Sequence, residues 1–145
     1  MSKATRPVWG LFLLLLAMAA VTIVVRATRP KEIIPWRTDL AAAREEAGRT
    51  GKPVMAYFTA SWCGPCQSLR HTTWADKTVD AALRDYVPVK VDVDADAAAA
   101  QRYEVRSIPA FAVLDAQGKA NKFTDGAMAP EQFLAWLKGV GSNAE

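Results

Sequence analysis

Residues 54–66, Val54-Met55-Ala56-Tyr57-Phe58-Thr59-Ala60-Ser61-Trp62-Cys63-Gly64-Pro65-Cys66, decide how the rest of the chain is read. The first six form a continuous apolar run rich in strand formers, the pattern of a central parallel strand covered on both faces. A cysteine pair with two residues between follows at the carboxyl end of that strand. A helix is expected next, from about Cys63 to Thr72.

A dithiol that opens and closes repeatedly needs its sulfurs within bonding reach in both states, and one thiol poised as thiolate. A first cysteine capping a helix and a second one turn in meet the first need with little movement. Unpaired N–H groups and the positive end of the helix dipole meet the second, because they stabilise the thiolate of the capping residue. Cys63 is therefore read as the nucleophile. Cys66 is read as the resolving thiol, which attacks the mixed disulfide that Cys63 makes with a partner. Both cysteines of the chain lie in this motif, so there is no disulfide framework elsewhere. A metal site is not expected: there is no second C-x-x-C, and the lone His71 cannot complete four ligands. No cofactor is expected either, and His71 is given no catalytic duty.

Working outward, Thr38 is read as the N-cap of an Ala- and Glu-rich helix over 39–47 that ends before Gly48 or Gly51. A helical stretch is expected at 78–86. Val87, Val89, Val91 and Val93 then alternate with Pro88, Lys90, Asp92 and Asp94 in the period of a strand. A short helix over 96–103, an apolar strand over 110–114, a turn at 115–118 and a weaker strand over 119–124 follow. Phe133, Leu134, Trp136, Leu137 and Val140 recur at helical spacing behind Pro130. The order is α-β-α-β-α-β-β-α, an α/β domain. Trp36, Trp74 and Trp136 are expected in the core or as anchors.

Before this domain, Val8 to Val25 runs eighteen residues without a charge. As a helix it would extend roughly 27 Å, enough to span a hydrocarbon core. A cleaved signal peptide is the competing reading, since Lys3 and Arg6 precede the run and Ala17-Met18-Ala19 offers a cleavage site. Continuation of the run to Arg26 and Arg29 favours an uncleaved anchor. The divisions expected are a tail at 1–7, a transmembrane signal anchor at 8–25, a linker at 26–37 containing Pro30 and Pro35, the domain at 38–141, and a tail at 142–145.

The net charge of +3 divides unevenly. Residues 1–37 carry Lys3, Arg6, Arg26, Arg29, Lys31 and Arg37 against Glu32, a balance of +5, which leaves −2 for the remainder. A weakly acidic domain behind a basic, apolar leader argues against nucleic-acid binding. A short basic tail before a first apolar segment is the pattern of a cytoplasmic amino terminus with the domain outside, in the periplasm or another extracytoplasmic space.

Ala60-Ser61-Trp62-Cys63-Gly64-Pro65-Cys66 matches the A-x-W-C-G-P-C signature of the thioredoxin superfamily. Lys90-Val91-Asp92-Val93-Asp94 is similar to its next strand, Ser107-Ile108-Pro109 to its cis-proline loop, and Gly126 to the glycine before its last helix. Gly51-Lys52-Pro53-Val54 and Thr73-Trp74-Ala75-Asp76 most resemble the periplasmic thioredoxin-like domain of transmembrane thiol:disulfide interchange proteins. The large electron-conducting membrane domain of those proteins has no counterpart in these 145 residues. The resemblance implies a thioredoxin-like fold, a central mixed sheet with helices on both faces. It implies a thiol-disulfide oxidoreductase with a Cys63–Cys66 redox disulfide, acting as a reductant because Gly64-Pro65 is typical of reducing members. Trp62 would shield the sulfurs and contact protein thiol or disulfide substrates together with Ile108 and Pro109. The implied partner is a membrane electron donor of the thiol:disulfide interchange type. Lys90 is a candidate for tuning the cysteines. Tyr57 departs from the family, which commonly carries a buried aspartate there. A buried tyrosine is a poor base at neutral pH, which leaves Cys66 without that acceptor. A disulfide oxidase or isomerase, and a binding module with incidental cysteines, are the competing functions.

Overall fold

The computed structural model describes residues 6–139. Residues 1–5 of the tail expected at 1–7, the tail expected at 142–145, and Val140 and Gly141 at the end of the expected domain lie outside the described residues. The chain forms two compact units, divided between Pro30 and Lys31.

The first unit is the helix α1, Arg6–Thr28, longer than the run of uncharged residues inside it. Over Trp9–Thr28 it is long and apolar enough to cross a membrane.

In the second unit, α2 (Leu40–Thr50) leads into β1 (Val54–Thr59), and α3 (Gly64–Leu69) follows the cysteine motif. A 3-10 turn at Thr73–Ala75, α4 (Lys77–Leu83), β2 (Val87–Asp92) and α5 (Ala97–Arg102) come next. The chain closes with β3 (Ala110–Leu114), β4 (Ala120–Asp125) and α6 (Pro130–Lys138). Local chemistry sets these limits. The N-cap of α2 is Asp39 rather than Thr38: its carboxylate accepts from the Ala42 N–H at 3.0 Å. The helix runs on past Gly48 until Gly51, at φ 71°, ends it in the left-handed region that glycine tolerates. The helix expected through Thr72 stops at Leu69, and Asp76 starts a new one, accepting from the N–H groups of Thr78 and Val79. The strand β2 ends at Asp92, whose carboxylate accepts from the Asp94 N–H and turns the chain.

The sheet order is β2-β1-β3-β4, with β1 and β2 parallel and the other two pairings antiparallel. Both faces are covered, so β1 and β3 are apolar nearly throughout. Ala43 and Ala47 of α2 and Ala99 of α5 close over Val54, Ala56, Phe58, Val89 and Leu114 on one face. Leu69, Trp74, Val79, Phe133 and Leu137 close over Met55, Tyr57, Phe111 and Val113 on the other. Tyr57 stacks on Phe111 at 5.5 Å between centroids and lies 5.0 Å from Trp74. Trp74 is buried, and Trp36 and Trp136 pack half-buried against the same cluster, as expected for core and anchor residues.

The segment 31–37, expected as a linker, is extended but not free of the domain. Ile34 is buried, and Ile33 N–H donates to Trp74 O at 2.8 Å. Arg37 N–H donates to Pro88 O, Lys90 N–H donates to Arg37 O, and Arg37 forms a parallel bridge with Val89. These contacts lay the segment along the free edge of β2.

Candidate active site

The strand β1 delivers the chain to Ala60, and the Cys63 N–H donates to Ala60 O at 3.2 Å, which turns the chain into α3. Cys63 is the N-cap of α3 and keeps extended backbone angles, while Cys66 lies inside the first turn. Their Cα atoms are 5.3 Å apart and the sulfurs are bonded at 2.02 Å, so the pair is a disulfide. Cys63 Sγ also accepts from the Cys66 N–H at 3.2 Å. That N–H is one of the donors a helix leaves unpaired at its start, and it would be aimed at the negative charge of a Cys63 thiolate.

In this oxidised state the two cysteines are covered almost equally, at 3% and 2% exposure. Their difference lies in what each faces. Trp62, beside Cys63, is 68% exposed and lines a shallow groove with Val93, Ala97, Val105 and Ile108. The Ile108–Pro109 peptide bond is cis, as expected, and the Gly126 N–H donates to Pro109 O at 2.8 Å. Ser107 Oγ donates to Asp125, so both sides of the proline loop are tied to the end of β4. Gly64 leaves open space at the mouth of the motif, since a side chain there would meet nothing within 4 Å. Pro65 occupies the first turn of α3, where its missing N–H costs no helical bond.

Cys66 faces inward. It borders a cavity of about 190 Å³ lined also by Tyr57, Arg70, Lys90 and Asp92. Tyr57 and Lys90 are register partners in the parallel β1/β2 pair. The Tyr57 hydroxyl donates to Cys66 O at 3.4 Å. Burial pushes the Tyr57 hydroxyl above the usual phenolic range, and the nearby Glu32 charge pushes it the same way. Tyr57 therefore stays neutral at physiological pH, in keeping with the sequence reading that it is no base.

Motif reading missed Glu32. Its side chain, 14% exposed, accepts from Lys90 Nζ at 2.6 Å and pairs with Arg70 Nε at 3.4 Å. The Trp36 indole N–H donates to the same carboxylate, and Lys90 Nζ lies 5.3 Å from the Trp36 ring centroid. The signal available in the sequence was a supposed linker holding Ile33, Ile34 and Trp36, three large apolar residues with no reason to face water. His71 is exposed. Among the described residues, no three His, Cys, Asp or Glu side chains are grouped as a metal ion would require.

Comparison with known proteins agrees with this geometry. The family model described as a thioredoxin-like domain matches residues 40–141. The thiol:disulfide interchange protein DsbD of Ralstonia nicotianae is 37% identical over 113 residues, covering 74% of this chain and 19% of its own length. The chain thus spans about a fifth of that relative. A thioredoxin-like protein of Synechocystis, slr1139, is 33% identical over 108 residues, 70% of this chain and 89% of its own. Among solved structures, the oxidised C-terminal domain of Neisseria meningitidis DsbD superposes with a TM-score of 0.62. It covers 72% of this chain and 97% of that one at 22% identity, a likeness of fold.

Proposed function

The chain belongs to the thioredoxin-like family, and from that membership we propose that it is a protein-disulfide reductase acting outside the cytoplasm. In this reading the Cys63 thiolate attacks a substrate disulfide and forms a mixed disulfide. Cys66 then attacks Cys63 Sγ, closing the 63–66 bond and releasing the substrate as a dithiol. The observation that carries the assignment is the inequality of the two sulfurs. Cys63 caps a helix and accepts its N–H, whereas Cys66 borders a partly open pocket lined by Tyr57, Arg70 and Lys90. Trp62, Ile108 and Pro109 would form the wall against which a substrate strand lies, with Gly64 leaving room for its approach.

A reductase outside the cytoplasm needs electrons delivered through the membrane. The 37% identity to part of a thiol:disulfide interchange protein supports a membrane donor of that type, and an anchored α1 would keep donor and acceptor close. The experiment is a pair of serine variants offered a disulfide protein such as insulin. Cys66→Ser should accumulate a mixed disulfide through Cys63, and Cys63→Ser should form none. If the double variant kept the cellular role intact, a binding module would replace the enzyme.

A further inference from the structure

The resolving step creates a proton problem that the motif itself does not solve. When Cys66 attacks, its thiol proton must leave a buried position, and a free cysteine with a pKa of about 8.5 is mostly protonated at neutral pH. The buried phenol of Tyr57 cannot take the proton. The cavity beside Cys66 has room for several waters, each about 30 Å³ in the liquid. The charged groups on its wall are Arg70, Lys90 and Asp92, and both cations hold Glu32. Asp92 also lines this space, with its Oδ1 accepting from the N–H groups of Asp94 and Ala95, and the Asp92→Asn variant below separates it from Glu32.

We propose that Glu32 accepts the Cys66 proton, passed through this cavity between the Lys90 and Arg70 side chains. Charge conservation is the reason. Moving the proton from Cys66 to Glu32 shifts one negative charge across two fixed cations that border the same space. Lys90 and Arg70 exchange a carboxylate partner for a thiolate partner, and the net charge of the cluster does not change. Loss of the proton to bulk water would instead add an unbalanced negative charge to the interior, which is costly. In the complete step Cys66 gives its proton to Glu32, and its sulfur bonds to Cys63 Sγ. The bond from Cys63 to the partner sulfur breaks, with its electron pair leaving on that sulfur. The partner thiolate then takes up a proton from Glu32 or water. Over the full exchange the chain loses two electrons and the partner disulfide gains two.

Glu32 precedes the segment matched by the family model, in the stretch that follows Pro30. The residue that serves Cys66 would thus be supplied by the arm that joins the domain to α1.

This inference rests on Cys66 being the resolving thiol, so the test separates the two. The full chain, reduced and held in detergent, is mixed with the aromatic disulfide DTNB in a stopped-flow instrument. Attack by Cys63 releases a first yellow thiolate and closure by Cys66 releases a second. Cys66→Ser must remove the second phase and keep the first; otherwise the assignment of the cysteines fails, whatever Glu32 does. Glu32→Gln is expected to slow the second phase at pH 7 by at least about tenfold, as loss of a proton acceptor does, with the first phase changed less than about twofold. Its second phase should then rise about tenfold per pH unit between roughly pH 6 and 8, following the thiolate fraction, and more steeply than in the parent. Glu32→Asp should fall between the two. A second phase of unchanged rate and slope in Glu32→Gln overturns the proposal, as does a loss confined to Asp92→Asn. Should Glu32→Gln not fold, an unchanged second phase in Glu32→Asp overturns it equally.

Discussion

The indole of Trp62 donates to the Asp94 carboxylate at 2.8 Å, so an aromatic ring that is largely exposed is nevertheless fixed in direction. The bond crosses from the loop before α3 to the turn after β2, and it holds the ring at the rim of the groove that Ile108 also lines. Asp94→Ala should release the ring. Exchange with a folded protein disulfide is expected to slow several-fold, while the first DTNB phase, which needs no such wall, stays within about twofold. Stability should move by no more than about 0.5 kcal/mol, as for an ordinary surface change. Equal slowing on both substrates would show that Trp62 serves the sulfur itself rather than the partner.

Tyr57 offers two substitutions with different outcomes. Tyr57→Phe removes one long hydrogen bond to Cys66 O and should cost about 1 kcal/mol or less, leaving both exchange phases near the parent rate. Tyr57→Asp places the family's acceptor beside Cys66 but deletes a ring packed against Trp36, Trp74 and Phe111. Loss of such a ring costs about 3–5 kcal/mol, and a buried carboxyl adds to that. Denaturant titration should show the large loss. When Tyr57→Asp is added to Glu32→Gln, insulin reduction at pH 7 by the fraction that remains folded should be faster than in Glu32→Gln alone, because the new carboxyl replaces the missing acceptor.

Asp76 caps α4, and the Thr78 hydroxyl together with the Val79 N–H holds its carboxyl below the usual range. A carboxyl whose folded value is depressed contributes stability in full above its unfolded value, about 4, and loses it as pH falls through the folded value. Asp76→Ala should therefore cost about 1 kcal/mol at pH 7. The gap between parent and variant in urea midpoint should close as the pH is lowered below about 4. A gap that persisted unchanged in acid would mean that packing, not the charged cap, is what the variant loses.

The helix α1 bears on where the domain works. If it is an uncleaved anchor, the full-length chain should sediment with membranes after alkaline washing, and deletion of residues 8–25 should release it. A mature protein whose amino terminus falls after Ala19 would establish a cleaved leader instead. In both cases a reporter fused after Glu145 should be active only in its extracytoplasmic form. Activity confined to the cytosol would remove the need for a membrane donor.

Much of this was legible in the chain because it is local. The apolar run 54–59, the cysteine spacing and the alternation at 87–93 each encode their element within a few residues, and the strands begin and end within a residue or two of expectation. Ends of helices were harder. Thr38 and Asp39 both carry cap oxygens, and only the turn geometry chooses Asp39. The 3-10 turn that buries Trp74 interrupts what reads as continuing helix after Leu69. Glu32 was not legible as a site residue, because its partners Arg70 and Lys90 lie far along the chain and two prolines remove the periodicity that would mark its segment as structural. Nor was the near-equal burial of Cys63 and Cys66, which follows from the disulfide being closed.

Direction of electron flow is the centre of the proposed function, and the reduction potential of the Cys63–Cys66 pair tests it most directly. The full chain is equilibrated in graded ratios of reduced to oxidised dithiothreitol or glutathione, and the thiol fraction is read by alkylation. A potential close to that of thioredoxin, about −270 mV, is the value a reductase requires. A potential near −120 mV would mark the chain as an oxidant and contradict it.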